Sequence, residues 1–569
     1  MKKIFLLFFL FLPTILFSQT VHRMFVNKVD MPINNEGVMA DVLVDGSDGG
    51  RIDGKTVIFS QGFFLGGLDQ NDSIWANAVA SASRIQDYLP GNVDSSALNS
   101  KYKLYIVNKN DSPFGTSWQN WKDAVKIGAE FYDGNNDSVY NPLDINTNGK
   151  WDSTEDAPPL IGQEIAWCVY NDGMADSMRR FSNVLPKGLE IRQSIFAFKK
   201  DESNNQFEPL DYTIFTKYEI INTGKVSVSF DSVYLGLWSD TDNGDPYNDL
   251  VGSDTLVQSG YVYNQNNIDA DFGANPPTHF LTLLQGPVDY IPGVTFIDNN
   301  SNNTFEQGID TPLDSAFNYK GLLGTEILPG AKNVSLSSYF HYQSSDVQVG
   351  DPNDEKEAYN YLNAKTRLGV TPDPCTWALG EVIGVDCNSI NPKFLYSGDP
   401  VSKIGWLNKR ANDQRQMAAV GPFRLEKDKP KTIIIGSIIA GGSSSQNSID
   451  RGKGYAKQLL EFVQSNFSNF NITDVKENKN IPANFSLSQN YPNPFNPTTK
   501  INYSIPHTAN VKLQVYDVLG NLITTIVNEE QNAGSYNVDL DLSKFSSGVY
   551  FYQLQAGSFI QTKKMLLMK

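Results

Sequence analysis

The chain has 569 residues, a formal net charge of −17 and only 19% charged residues. That acidity argues against a nucleic-acid partner, because phosphate binding needs a basic surface. The three cysteines are too few for a disulfide scaffold or a four-thiolate zinc site.

At the N-terminus Lys2 and Lys3 precede an apolar run from Ile4 to Phe17, followed by Ser18 and Gln19. A charged region, an apolar region and a small residue at a cleavage point predict a signal peptide over residues 1–18. An N-terminal anchor is the alternative, but the run is short for a bilayer. No later stretch reaches the roughly 18–20 apolar residues that a spanning helix requires. The mature chain is therefore expected to be soluble, with no transmembrane segment.

Residues 19–470 form the cargo region, in one or two subdomains. Aromatic residues make up 12% of the chain, with 26 Tyr and 33 Phe, and broad side chains suit half-buried sheet faces. Strands are expected at Lys101–Ile106 and Tyr212–Ile221, and a hairpin-like pair at Val226–Phe230 and Val233–Leu237. The run from Thr432 to Ile439 is apolar on both faces, as in a central strand. Two helices are expected. Ser117 would cap one carrying Trp118, Trp121 and Val125, and Ile449, Gly452, Ala456, Leu459, Leu460, Val463 and Phe467 form the stripe of the other. Gly441–Ser445 reads as the turn between the central strand and that helix. Cys168 sits in a buried-looking strand as a small core residue, while Cys375 and Cys387 lie close enough to staple one loop. The fold class is thus mainly β, a large sandwich-like cargo with a few helices.

Asp144-Ile-Asn-Thr-Asn-Gly-Lys-Trp-Asp-Ser-Thr-Glu155 matches a calcium loop. Asp144, Asn146 and Asn148 supply alternate oxygens, Gly149 the sharp turn, Lys150 a carbonyl, Asp152 the ninth position and Glu155 the closing carboxylate. Asp133, Asn135 and Asp137, with the Val139 carbonyl, form a second set upstream. Its twelfth position falls on Asp144, and Ser138 replaces its glycine. Asp156-Ala-Pro-Pro blocks an exit helix, so the stretch resembles the loop-type calcium repeats of thrombospondin or dockerin modules rather than a helix-loop-helix hand. A structural Ca²⁺ is the expected cofactor; a polar surface loop is the alternative. Asp240, Asp242, Asp245, Asp249 and Asp254 could wrap an ion. So could the run from Asp298 to Glu306, which has Asn303 at six and Ile309 at twelve.

No catalytic residue emerges. The four histidines, His22, His279, His341 and His507, show no metal-ligand spacing, and no nucleophile elbow, phosphate loop or dinucleotide fingerprint is present. An enzyme is therefore the less favoured class. A structural or adhesive protein is expected, and a polysaccharide hydrolase with a carboxylate pair is the alternative. Trp75, Trp118, Trp121, Trp238 and Trp406 would line such a cleft, although core packing suits most of them.

Residues 471–485 are polar and charged and read as a linker. Short strands then recur around Ile501–Ile505, Val511–Tyr516, Leu522–Val527, Tyr536–Leu542, Val549–Leu554 and Phe559–Leu567, with turns at Gly520, Gly534, Gly548 and Gly557. That count predicts an immunoglobulin-like sandwich. The segment opens with Asn490-Tyr-Pro-Asn-Pro-Phe-Asn-Pro and continues through Val515-Tyr-Asp-Val-Leu-Gly-Asn521, Gly534-Ser-Tyr536, Ser547-Gly-Val-Tyr-Phe-Tyr552 and Lys563-Lys-Met-Leu. Over residues 486–569 it resembles the type A C-terminal sorting domain of the type IX secretion system. The resemblance implies the secretion machinery as partner, a secreted or outer-membrane-surface location, and removal of the tail followed by either release or anchoring to cell-surface lipopolysaccharide. Pieces of the cargo, such as Ala166-Trp-Cys-Val-Tyr-Asn-Asp172 and Leu237-Trp-Ser-Asp240, resemble large secreted Bacteroidota or Ignavibacteria-type proteins with the same tail, a likeness that brings no activity with it.

Overall fold

A computed structural model describes residues 19–80, 87–181, 183–199, 207–344, 346–467, 486–505, 509–531, 534–556 and 559–568. The leader, the linker, His507 and the Gly557 turn lie outside the described residues. The chain divides into two compact units, Met1–Phe470 and Asn471–Lys569, and it is mainly β.

The first unit is built on two large sheets. The eight-stranded sheet runs Val21–Met24, Val29–Asn34, Gly50–Ile52, Lys55–Leu68, Ser229–Thr241, Gln414–Glu426, Leu336–Gln343, with Ile74–Val79 also paired to Lys55–Leu68. The nine-stranded sheet runs Asp249–Asp254, Ser259–Asn264, Thr278–Gln285, Lys431–Ala440, Thr213–Asn222, Leu189–Ala197, Glu164–Asn171, Leu89–Pro90, with Tyr105–Asn108 on Glu164–Asn171. Pairing between these strands is antiparallel throughout, for example Phe215 opposite Gly436 and Leu237 opposite Ala418.

The Lys431–Ala440 strand explains the layering. Ile433, Ile435 and Ile439 join the core shared with the eight-stranded sheet. Ile434 and Ile438 join a second core on the other face. Alternation along a pleated strand sends neighbours to opposite faces, so a strand apolar on both faces is buried twice. Helices α1 (Thr116–Lys126) and α3 (Ser445–Gln464) cover that second face, supplying Trp118, Trp121, Ile449, Leu459 and Phe462. Each fully buried aromatic there contributes on the order of 1.5–3 kcal/mol. A third helix, α2 (Glu355–Leu362), packs on the outer face of the eight-stranded sheet, where Tyr361 stacks on Phe340.

Several local expectations change. Ser229–Thr241 is one bulged strand, with register shifts between Phe230, Val233 and Leu235, rather than a hairpin. The turn-like Asp231-Ser232 is absorbed into the bulge, and Val226 and Val228 are left exposed. Gly115, not Ser117, takes the cap position of α1 and makes no side-chain bond. The Gly441–Ser445 run does join strand to helix, and Ser444 caps α3 by accepting from the Asn447 N–H at 3.0 Å. Cys168 is buried in its strand, and Cys375 and Cys387 form a disulfide.

The second unit is a small sandwich. One sheet holds Ser486–Leu487, Thr498–Ile505 and Gly534–Asp541; the other holds Leu522–Gln531, Ala509–Tyr516, Gly548–Ala556 and Phe559–Leu567. Ile501, Tyr503, Leu513, Val515, Tyr552, Leu554, Met565 and Leu567 fill the space between. The Asn-Pro-rich opening ties the layers together: the Asn490 N–H donates to the Tyr552 hydroxyl, and the Phe495 N–H donates to the Leu566 carbonyl.

Candidate metal centre

The segment from Asp133 to Asp156 leaves α1 and returns to the nine-stranded sheet as two stacked loops. In the second, the Asp144 carboxylate accepts from the N–H groups of Asn148 and Gly149, and the Asn146 side-chain oxygen accepts from Asn148 N–H. Asn148 in turn accepts from Lys150 N–H. Glu155 is buried and closes the ring, with its two oxygens on the N–H groups of Ile145 (2.7 Å) and Asp152 (3.0 Å). The amides of Asn146 and Asn148 both point at one Asp152 oxygen. Side chains at the third, fifth and ninth positions thus converge on one point.

The first loop repeats this wiring. Asp133 accepts from Asp137 and Ser138, Asn135 from Asp137, and Asp137 from Val139. Its closing carboxylate is not Asp144, whose oxygens are engaged within the second loop. The buried Asp156 takes the role, accepting from Gly134 at 3.2 Å and Asn141 at 2.7 Å, the second and ninth positions. Gly134 permits the stacking, since a Cβ there would lie 2.4 Å from the Glu155 backbone. Asn141 carries its own cation, the Lys122 ammonium at 3.1 Å.

The stretch from Asp298 forms a third copy. Asp298 accepts from Asn302 and Asn303, Asn300 from Asn302, and Asn302 from Thr304. The amides of Asn300 and Asn302 converge on Glu306. Here the closing carboxylate is Asp310, one residue later than the twelve-residue spacing, on the N–H groups of Asn299 and Glu306. All three loops turn left-handed at the fourth and sixth positions: Asn136 and Ser138, Thr147 and Gly149, Ser301 and Asn303. Ser138 and Asn303 therefore adopt the geometry that glycine was expected to provide.

Sequence spacing missed Asp156 and Asp310. A usable signal was an acid one or two residues before a proline (Asp156-Ala-Pro, Asp310-Thr-Pro), each just past an Asn/Asp-rich run. The loops are anchored by the Tyr140 hydroxyl donating to the Trp118 carbonyl of α1 and by Trp151 Nε1 donating to Glu155 O. Val139, Leu143 and Ile145 stand on them in solvent, 61%, 52% and 63% exposed.

Elsewhere, Trp75, Trp118, Trp121, Trp238 and Trp406 are all buried, so none is a sugar platform. His279 and His341 are buried too. His279 Nδ1 faces the Thr241 hydroxyl at 2.9 Å and Nε2 the Ser437 hydroxyl at 3.0 Å, and Ser437 donates to Gln61. Burial pushes His279 down to about 3 and His341 to about 4.

Residues 489–568 match the family model of the secretion system C-terminal sorting domain. The tail is the sorting signal of type IX secretion, and the chain is exported to the cell surface or extracellular space. No helix among the described residues is long and apolar enough to cross a membrane. No curated protein matches the sequence. Among solved structures, a polysaccharide lyase aligns at 9% identity and a TM-score of 0.20, covering 67% of this chain and 34% of its own. The dimeric latent PorU of Porphyromonas gingivalis aligns at 10% identity and a TM-score of 0.13, covering 63% and 31%. The chain thus spans about a third of the length of each.

Proposed function

We propose that this is a calcium-stabilised structural or adhesive protein of the cell exterior, displayed or released by type IX secretion. The observation that carries the reading is the threefold recurrence of one loop wiring, each copy closed by its own carboxylate. Asp133, Asn135, Asp137 and Asp156 would hold one Ca²⁺; Asp144, Asn146, Asn148, the Lys150 carbonyl, Asp152 and Glu155 a second. Rotation of the Asn amides would turn oxygens toward the ion, and the clustered carboxylates would pass from mutual repulsion to ligation. The exposed Val139, Leu143 and Ile145 support adhesion, because apolar side chains held out on rigid loops are suited to contact. Passage through a signal peptide and attachment to lipopolysaccharide after tail removal complete the reading.

The test is thermal melting with calcium and with chelator, on wild type and Glu155→Ala. Calcium at ten times the dissociation constant should stabilise the wild type by about 1.4 kcal/mol per site, and Glu155→Ala should lose one such increment. An unchanged wild-type melting temperature in chelator, with no heat of calcium binding, would leave only polar loops.

A further inference from the structure

A different set of acids meets at one end of the eight-stranded sheet. Asp240 is the penultimate residue of the Ser229–Thr241 strand, Asp242 follows that strand, and Asp413 immediately precedes the neighbouring Gln414–Glu426 strand. Antiparallel pairing sets Asp240 opposite Arg415, which brings the three carboxylates together from positions more than 170 residues apart in the chain. One oxygen from each lies within 4.8 Å of the others.

The charges there do not balance. Among the described residues Arg415 is the one cation in contact, with Nε 3.2 Å from Asp240 Oδ2 and a terminal nitrogen 2.9 Å from Asp413 Oδ1. With all three carboxyls ionised, one guanidinium leaves two negative charges uncompensated. Asp242 has no hydrogen-bond or ion-pair partner for its side chain among the described residues. Asp240 is 7% exposed, and its Oδ1 is buried with no hydrogen-bond partner. Two further acceptors nearby, Asn243 Oδ1 on the connection that follows and Asp249 Oδ1 at the start of the next strand, are buried without partners as well. Buried oxygens are ordinarily matched by donors. A concentration of unmatched acceptors in a negatively charged corner calls for a cation.

We propose that Asp240, Asp242 and Asp413 form a binding site for a hard divalent cation, separate from the three loops. The donors are all oxygens, which selects calcium, magnesium or manganese over softer, nitrogen- or sulfur-seeking metals. A dication cancels the residual charge and gives Asp240 Oδ1 the partner it lacks. Because its ligands come from two adjacent strands, the ion would clamp the end of the sheet, whereas the loop sites draw their ligands from short contiguous segments. The proposal does not rest on the loops binding calcium.

Asp242→Asn separates the alternatives, since this side chain holds nothing else in place. Without metal, the substitution removes like-charge repulsion and should leave the full-length protein as stable as wild type or more so. With Mn²⁺, calorimetry should show one fewer site per chain, or at least tenfold weaker binding at one site, while Glu155→Ala keeps that site. Crystals of the wild type soaked in Mn²⁺ should give an anomalous peak between the three carboxylates. Unchanged manganese stoichiometry and affinity in Asp242→Asn, or no peak at that position in the soaked wild type, overturns the assignment.

Discussion

His279 shows what one side chain does for this fold. Its ring lies between the sheets and joins Thr241 of one to Ser437 of the other, and Ser437 passes the contact on to Gln61. Both nitrogens are used, and burial keeps the ring neutral. In the unfolded chain the histidine titrates near its ordinary value of about 6.5; in the folded chain it stays neutral down to about 3. Below that ordinary value the unfolded state binds the extra proton, so stability falls as pH drops and is fully present above it. His341, held at about 4, acts in the same direction. Glu130 adds to it at lower pH: burial alone would raise its carboxyl, but Lys217 and Lys320 outweigh that and hold it at about 2. Each buried histidine should therefore add about 1.4 kcal/mol per pH unit to the slope of urea unfolding between pH 4 and 6, against Asp240 and Asp242, which burial raises to about 7 and about 6 and which act in the opposite direction. His279→Gln should remove one such increment. None of this was legible in the sequence, where His279 is one polar residue in a strand and its partners lie far away in the chain.

At the scale of elements, legibility followed periodicity. The Lys431–Ala440 strand and α3 were readable because apolar residues recur at the spacing of their own element. Ser229–Thr241 was not, because a bulge puts turn-forming residues inside a continuous strand. The loops were half-readable: the spacing of their acids and amides is local, but Asp156 reaches across a whole intervening loop, and no fixed spacing encodes that. The stripe of α3 also contained a requirement that pattern alone hides. A Cβ on Gly452 would lie 2.1 Å from the Phe280 ring, so the α3 backbone rests directly on that ring with no helix side chain between them. Gly452→Ala gains helix propensity of up to about 1 kcal/mol, but overpacking against a buried ring typically costs 1–3 kcal/mol. The expected net result is a destabilised protein, and Gly452→Val should be worse; chemical denaturation of the two variants measures both.

For the whole molecule, the tail's strands and sandwich were legible because several short motifs fall in order over one segment. The layering of the cargo was not, since strands that pair are separated by hundreds of residues. The cargo's two cores lie wholly within the first unit. Deleting Asn490–Lys569 should therefore leave a folded cargo in the periplasm, shown by protease resistance of the cell-associated protein; normal amounts in the medium would contradict the sorting assignment. The position of the Lys431–Ala440 strand reaches further. It pairs with Thr213–Asn222 on one side and Thr278–Gln285 on the other, so the middle of the nine-stranded sheet comes almost last from the ribosome. A chain ending at Asp428 would hold two half-sheets with open edges and should aggregate, while one ending at Phe470 should fold, a contrast read directly from soluble yield and circular dichroism. Synthesis thus supplies the keystone after the arch. Until that strand is made the nascent chain has no finished nine-stranded sheet to lock it, so the fold closes only after the first four hundred residues are already in place.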